Sequence, residues 1–113
     1  MPHCIVEYSK NIEKELSPES LIKCIHQGAV DSELFEEASI KTRAIAFEYY
    51  QTGAGDMPFI HVNVKILQGR NHQQKKMLSE MMLNSLTTIA RSPVSLTVEV
   101  VDIEKVSYRK TIL

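Results

Sequence analysis

Two consecutive strand-helix-strand patterns, separated by a glycine- and proline-containing turn at residues 51–58, constrain the fold of this chain more than any other feature. The clearest strand follows that turn at residues 59–67, where every second side chain is apolar and β-branched: Ile60, Val62, Val64 and Ile66. Strict alternation over this length is typical of a strand with one buried face. The pattern therefore predicts a sheet whose strands are joined and covered by helices.

The first half of the chain opens with a strand and a helix. Residues 2–9 alternate well enough to predict a strand with Cys4, Val6 and Tyr8 on one face. Ser17 followed by Pro18 is typical of a helix N-terminus, because serine caps free backbone amides and proline suits the first turn. Apolar residues then recur at helical spacing, which predicts a helix over residues 18–30 that Gly28 weakens in its last turn.

A second strand is predicted at residues 40–50, where β-branched and aromatic residues are concentrated. The two-residue period puts two cations and three apolar residues on one face: Lys41, Arg43, Ile45, Phe47 and Tyr49. The first half thus presents positive charge beside an apolar strip.

The second half repeats this order. Asn71 with Gln74 resembles a capping box, and apolar residues at helical spacing continue to Ser92-Pro93, which predicts the longest helix of the chain. A last strand is predicted at residues 96–103. Residues 104–113 form a polar tail that we expect to be free to dock on a neighbour.

These elements predict the α/β (α+β) class, with two tandem βαβ units forming a four-stranded sheet and two helices on one face. We expect one domain over residues 1–113, with pseudo-repeats at 2–50 and 57–103. The crossovers make each strand pair parallel. The uncovered sheet face, expected to be rich in Val, Ile and Phe, is too large an apolar patch for a monomer, so we expect oligomerisation through the sheet.

Composition excludes several classes of partner. Thirteen basic and fourteen acidic side chains give a formal net charge of −1, so no strong field attracts nucleic acid or a membrane surface. No apolar run is long enough to span a membrane. Two cysteines without a signal peptide predict a reducing, cytoplasmic setting, with Cys4 and Cys24 as core thiols.

Pro2 is the first candidate for chemistry. Removal of Met1 would give it a free secondary amine, and burial or nearby cations would favour the neutral, proton-accepting form of such an amine. The alternative is that the proline only rigidifies the chain end.

Other catalytic arrangements are missing from the sequence. His3, His26, His61 and His72 lack ligand spacing, so we expect structural histidines and no metal site. Three methionines of the second helix, Met77, Met81 and Met82, are expected to fill the core.

Two stretches of the chain resemble a known family. Pro2-His3-Cys4-Ile5-Val6-Glu7-Tyr8-Ser9 and the strand at 59–67 with its following Gln68-Gly69-Arg70 are similar to the tautomerase superfamily, most closely to the 5-carboxymethyl-2-hydroxymuconate isomerase family. The resemblance implies a homotrimer in aromatic compound catabolism, with the sheets lining the interior of the trimer. It also implies that Pro2 is the catalytic acid and base after loss of Met1, and that no metal or organic cofactor is needed.

The resemblance further implies an isomerase that moves a proton between enol and keto forms of an unsaturated, carboxylate-bearing acid. Arg70, at a strand-to-helix junction that favours anions, would bind the substrate, although a solvated loop arginine is the alternative. The family carries Arg-Ser-Arg in the second strand, whereas this chain has Lys41-Thr42-Arg43. Lysine keeps the charge but loses the bidentate fork, so orientation or substrate preference would differ. Arg43 would help to bind the substrate or form an interface ion pair.

A second function remains open from the sequence. A noncatalytic trimeric protein of the same fold that binds small acids, or interacts with other partners, would carry the same pattern, since fold alone does not define activity.

Overall fold

The computed structural model describes residues Met1–Leu113 as one four-stranded sheet with two helices packed on one face. The strands are β1 (Pro2–Ser9), β2 (Lys41–Phe47), β3 (Phe59–Leu67) and β4 (Ser95–Ile103), and the helices are α1 (Pro18–Asp31) and α2 (His72–Ile89). Three short 3₁₀ turns complete the chain at Lys10–Lys14, Glu37–Ser39 and Lys105–Ser107. Fold class and element order are as predicted.

The strand order is β2-β1-β3-β4, which makes β1 and β3 the inner strands. Within each half the two strands run parallel, β1 with β2 and β3 with β4, whereas the inner pair is antiparallel. The two βαβ units are therefore related by an approximate twofold axis between β1 and β3. This order places the first residues of the chain in the middle of the sheet.

Both helices begin where their capping residues predict. The Ser17 side chain accepts a hydrogen bond from the Ser20 amide at 3.1 Å, with Pro18 in the first turn. At α2 the capping box is complete, since Asn71 Oδ1 accepts from the Gln74 amide at 2.8 Å and Gln74 Oε1 from the Asn71 amide at 2.9 Å. These bonds satisfy amides that a helix leaves free at its start.

The core lies between the helices and one sheet face, and it contains fourteen buried residues. Each helix contributes a stripe at three- or four-residue spacing, and β1 and β3 contribute alternate side chains. The members from β1 and the two helices are Cys4, Val6, Tyr8, Leu21, Ile25, Ala29, Leu78, Met82 and Leu86. Burial raises the pKa of the Cys4 thiol to about 11, in keeping with its predicted place as a core thiol.

Two expectations need correction. The second strand ends at Phe47 rather than continuing to residue 50, because the chain bends at Glu48 and Tyr49, which leaves Tyr49 91% exposed. The second correction concerns the uncovered sheet face.

The uncovered face is less apolar than the sequence led us to expect. The alternating Val and Ile residues of β3 point into the core instead: Ile60, Val62, Val64 and Ile66. The uncovered face mixes apolar residues such as Ile45, which is 51% exposed, with the polar positions His61, Asn63 and Glu99. No helix of the chain is long and apolar enough to cross a membrane.

Candidate active site

The start of β1 brings the predicted base into the centre of the molecule. Pro2 lies opposite Ile66 in the antiparallel pair of inner strands, and its side chain is fully buried. Met1 precedes it and lines a cleft at the end of the sheet. The chain therefore places its second residue directly beside a surface opening.

This cleft has a volume of about 320 Å³ and is bounded by the loop after α1 and by the end of β3. Its lining residues are Met1, Leu34, Phe35, Glu36, Ser39, Leu67 and Arg70. A volume of this order suits a small organic acid better than a macromolecule.

Arg70 is held in the cleft by the junction between β3 and α2. Gly69, with a φ of +129°, makes a turn that residues with a side chain adopt only under strain, and Arg70 follows directly. The Arg70 Nη2 donates a hydrogen bond to the Leu34 carbonyl, and the guanidinium lies 5.6 Å from the centroid of the Phe35 ring. Its Nε is buried and has no hydrogen-bond partner in the chain. A buried donor without a partner is costly, and an anionic ligand would relieve that cost.

Positive charge surrounds the chain terminus. The pKa of the Met1 amine is lowered by burial first, then by the charges of Lys110 and Lys41, with a further contribution from Arg70. Glu36 acts in the opposite direction. Lys41 reaches this position because its backbone pairs with His3 in the register of β1 and β2. Two of the predicted binding residues, Arg70 and Lys41, are therefore near the terminus.

Arg43 lies further along β2, opposite Ile5, and its Nη1 donates to His3 Nδ1 at 3.1 Å. Arg43 thus contacts His3 and does not line the cleft. His3 has its pKa lowered by burial, then by Arg43 and Lys41, so the ring is neutral around pH 7.

The C-terminal tail supplies residues that the sequence reading missed. It returns to the N-terminus of its own chain, where the Tyr108 hydroxyl lies 2.9 Å from His3 Nε2 and 2.8 Å from Met1 Sδ. The Gln68 side chain anchors the tail by accepting from the Lys105 amide at 2.7 Å. The only sequence signal was that Tyr108 is the single aromatic residue of the tail. His3, expected to be structural, also lies at this site.

A larger, shallow groove of about 440 Å³ lies between α1 and α2, but no arginine or lysine lines it. A smaller cavity of about 160 Å³ lies at the other end of the sheet, between the 3₁₀ turn at Lys10–Lys14 and the end of α2, and apolar side chains make up much of its lining. No group of three His, Cys, Asp or Glu side chains is close enough together to hold a metal ion.

The chain thus combines two βαβ units in one sheet with a proline at the start of an inner strand and cations near the terminus. The family model for 5-carboxymethyl-2-hydroxymuconate isomerase matches residues 2–112. The chain belongs to this family and is an isomerase. The resemblance noted in the sequence is thus confirmed.

Individual proteins are similar to this chain in sequence or in fold. The chain is 29% identical over 90 residues to the 5-carboxymethyl-2-hydroxymuconate Delta-isomerase of Escherichia coli, covering 78% of this chain and 71% of the relative. The crystal structure of a 5-carboxymethyl-2-hydroxymuconate isomerase from Deinococcus radiodurans R1 has a TM-score of 0.84 at 22% identity, covering 97% of this chain and 88% of the other. The structure of a fused 4-OT wild-type symmetric trimer has a TM-score of 0.68 at 18% identity, covering 91% of this chain and 86% of the other.

Proposed function

We propose that the chain, after removal of Met1, is a cofactor-independent isomerase that uses the Pro2 nitrogen to move a proton within a carboxylate-bearing enol acid of the 5-carboxymethyl-2-hydroxymuconate type. The observation that carries this proposal is the position of Met1, which lines the same cleft as Arg70. Loss of this single residue leaves the Pro2 nitrogen as the chain terminus at the edge of that cleft.

The reaction needs one group that both accepts and donates a proton. The neutral Pro2 amine takes the proton from the enol hydroxyl, so an O–H bond breaks and a C=O bond forms as the electron pair moves along the conjugated chain. The resulting ammonium then donates its proton to the distant carbon, which forms a C–H bond and restores the amine. No electrons are gained or lost overall, so no redox cofactor is required.

Cations would hold the substrate over the nitrogen. Arg70 is the best-placed carboxylate ligand because its Nε lacks a partner within the chain. Lys41 adds a point charge near the terminus, which suits a second carboxylate or the oxygen that gains charge. Arg43 has its Nη1 on His3, so we assign direct substrate contact to Arg70 and Lys41.

We also propose that the working assembly is a homotrimer with the uncovered sheet faces turned inward. Asn63 Oδ1 on this face is buried and has no partner within the chain. The similarity in fold to the fused 4-OT symmetric trimer supports the same arrangement.

The test combines intact mass with kinetics on a simple enol acid, phenylenolpyruvate, and on a panel of 2-hydroxymuconate-type acids. We expect the native chain to lack Met1. Pro2→Ala replaces a secondary by a primary amine and should lower kcat/KM by about tenfold to hundredfold. Arg70→Gln should raise KM by about tenfold or more, because it removes a charged hydrogen-bond donor.

Cys4→Ser is the control, since its buried thiol has a pKa raised to about 11 and has no role in the proposed reaction. Retention of Met1 would contradict proline catalysis, because the Pro2 nitrogen would then be an amide. Equal turnover by wild type and Pro2→Ala would also contradict it. Binding of the acid without turnover would support the noncatalytic alternative.

A further inference from the structure

We propose that Tyr108 is a further substrate-contacting residue of this site, and that Arg43 positions it through His3. The inference rests on the proposed function, because Tyr108 contacts Met1, the residue whose removal would free the Pro2 amine. It assigns to the C-terminal tail a hydrogen-bond donor for the substrate oxygen that gains negative charge.

The first step is the direction of the hydrogen bonds. An arginine can only donate, so Arg43 Nη1 donates to His3 Nδ1 at 3.1 Å, and that nitrogen carries no proton. His3 is neutral around pH 7 because burial and the neighbouring cations lower its pKa. Its single proton is therefore on Nε2, which donates to the Tyr108 oxygen at 2.9 Å.

The second step follows from the first. Because the Tyr108 oxygen accepts a hydrogen bond from His3, the hydroxyl proton of Tyr108 is free to be donated elsewhere, and it points toward the terminus. Its acceptor there is Met1 Sδ, at 2.8 Å. Three donors thus run in one direction, from Arg43 through His3 to Tyr108, and a cation stands at the start of this relay. Hydrogen bonds in such a chain polarise one another, which strengthens the last donor.

The third step concerns the loss of Met1. Its removal takes away the acceptor of the Tyr108 hydroxyl and creates the free Pro2 amine at the same time. The Tyr108 oxygen still accepts from His3, but its proton is then left without an acceptor, beside the new terminus at which the substrate would react. An enolate oxygen there would accept the bond more strongly than a neutral carbonyl does, so the contact favours the charged intermediate.

Packing keeps the tyrosine in this position. The Tyr108 ring meets the His3 ring edge-on, with centroids 6.1 Å apart and an interplanar angle of 66°. The Gln68 anchor at Lys105 holds the tail at the end of β3, beside Arg70. Tyr108 is therefore a partly buried group, fixed on both its ring and its hydroxyl.

The experiment uses the full-length chain lacking Met1, verified by intact mass, with phenylenolpyruvate as the probe. Tyr108→Phe keeps the ring and removes the hydroxyl, so the fold should remain, as checked by thermal unfolding. We expect kcat/KM to fall by about a hundredfold to a thousandfold, mostly through kcat, as for loss of one oxyanion donor. The matched control is Tyr49→Phe, whose side chain is 91% exposed, and it should stay within about twofold of wild type.

A double-mutant cycle tests the relay. Arg43→Gln should lower kcat/KM when Tyr108 is present and have no further effect in the Tyr108→Phe background, because its influence passes through the hydroxyl. Arg91→Gln removes the same charge from the loop between α2 and β4, away from His3 and Tyr108, and should leave kcat/KM unchanged in both backgrounds.

The outcomes separate the two proposals. If the Tyr108→Phe variant turns over the substrate as fast as the wild-type chain, the present inference is overturned and proline catalysis stands. Equal losses from Arg43→Gln in both backgrounds overturn the relay. A Met1-free wild-type chain that isomerises no enol acid overturns the proposed function and this inference with it.

Discussion

At the scale of single residues, the dominant feature is a chain terminus surrounded by cations. Burial lowers the pKa of the Met1 amine most, and the charges of Lys110, Lys41 and Arg70 lower it further. When Met1 is removed, the free terminal amine belongs to Pro2, whose side chain is buried. An amine in this setting loses its proton more readily than an exposed one, which suits a base working near neutral pH.

The charge of Lys41 can be tested through the pH dependence of the reaction. A cation disfavours the ammonium form, so its removal favours that form and more alkaline conditions are needed to free the amine. In the Lys41→Gln variant we therefore expect the acid limb of the kcat/KM profile to move to higher pH, together with a higher KM. Lys23→Gln, on the exposed side of α1, serves as the control. A limb that moves to lower pH, or not at all, would exclude Lys41 from the environment of the base.

At the scale of elements, the junctions between strands and helices carry the site. Arg70 follows a turn that Gly69 makes with a φ of +129°, and the capping box of α2 begins at the next residue. Gly28 is a different case, since it lies within α1 where that helix faces α2. A Cβ added there would lie 3.8 Å from Met82 Cγ and 3.9 Å from Ser85 Oγ, which are ordinary contact distances.

The two glycines should therefore respond in opposite ways to alanine. Gly28→Ala should raise the free energy of unfolding by about 0.5 to 1 kcal/mol, because alanine favours the helix and the space is free. Gly69→Ala should lower it by about 1 to 3 kcal/mol, since a side chain is strained at that φ. Urea denaturation measures both. A destabilised Gly28→Ala variant would mean that the helices cannot accept even a methyl group.

At the scale of the whole molecule, one face of the sheet is left without a covering layer. It carries Ile45 together with polar groups, among them His61, whose Nε2 lies 2.7 Å from Glu99 Oε2. This mixture is more polar than the helix-covered face of the sheet, whose buried side chains are mostly Val and Ile. A partner that covers it must match hydrogen bonds as well as apolar area, which favours a specific oligomer over general aggregation.

The proposed trimer gives a direct expectation for mass in solution. Light scattering should give three times the mass of the chain. Ile45→Lys should reduce this mass toward that of a monomer, because it places an unpaired charge on the sheet face that the trimer would bury. Leu83→Lys is the matched control, since Leu83 is exposed on α2 and outside the sheet. A monomeric wild-type chain would contradict assembly through the sheet, as would an Ile45→Lys variant that keeps the full mass.

Local patterns were sufficient to predict the six main elements, both helix caps and the faces of β1 and β3. These features depend on residues a few positions apart, so the period of the apolar residues and the chemistry of the caps report them directly. The resemblance carried by Pro2 and Arg70 indicated the family, which the family model confirmed.

Contacts between distant parts of the chain required the tertiary structure. His3 and Tyr108 are 105 residues apart, and nothing periodic connects them. The partner of Arg43 depended on the pairing of β1 with β2, and the place of Lys110 depended on the return of the tail. The sequence by itself thus determined the elements and the proline at their start. The tertiary structure decided which side chains surround that proline, because sheet order and the path of the tail bring them together.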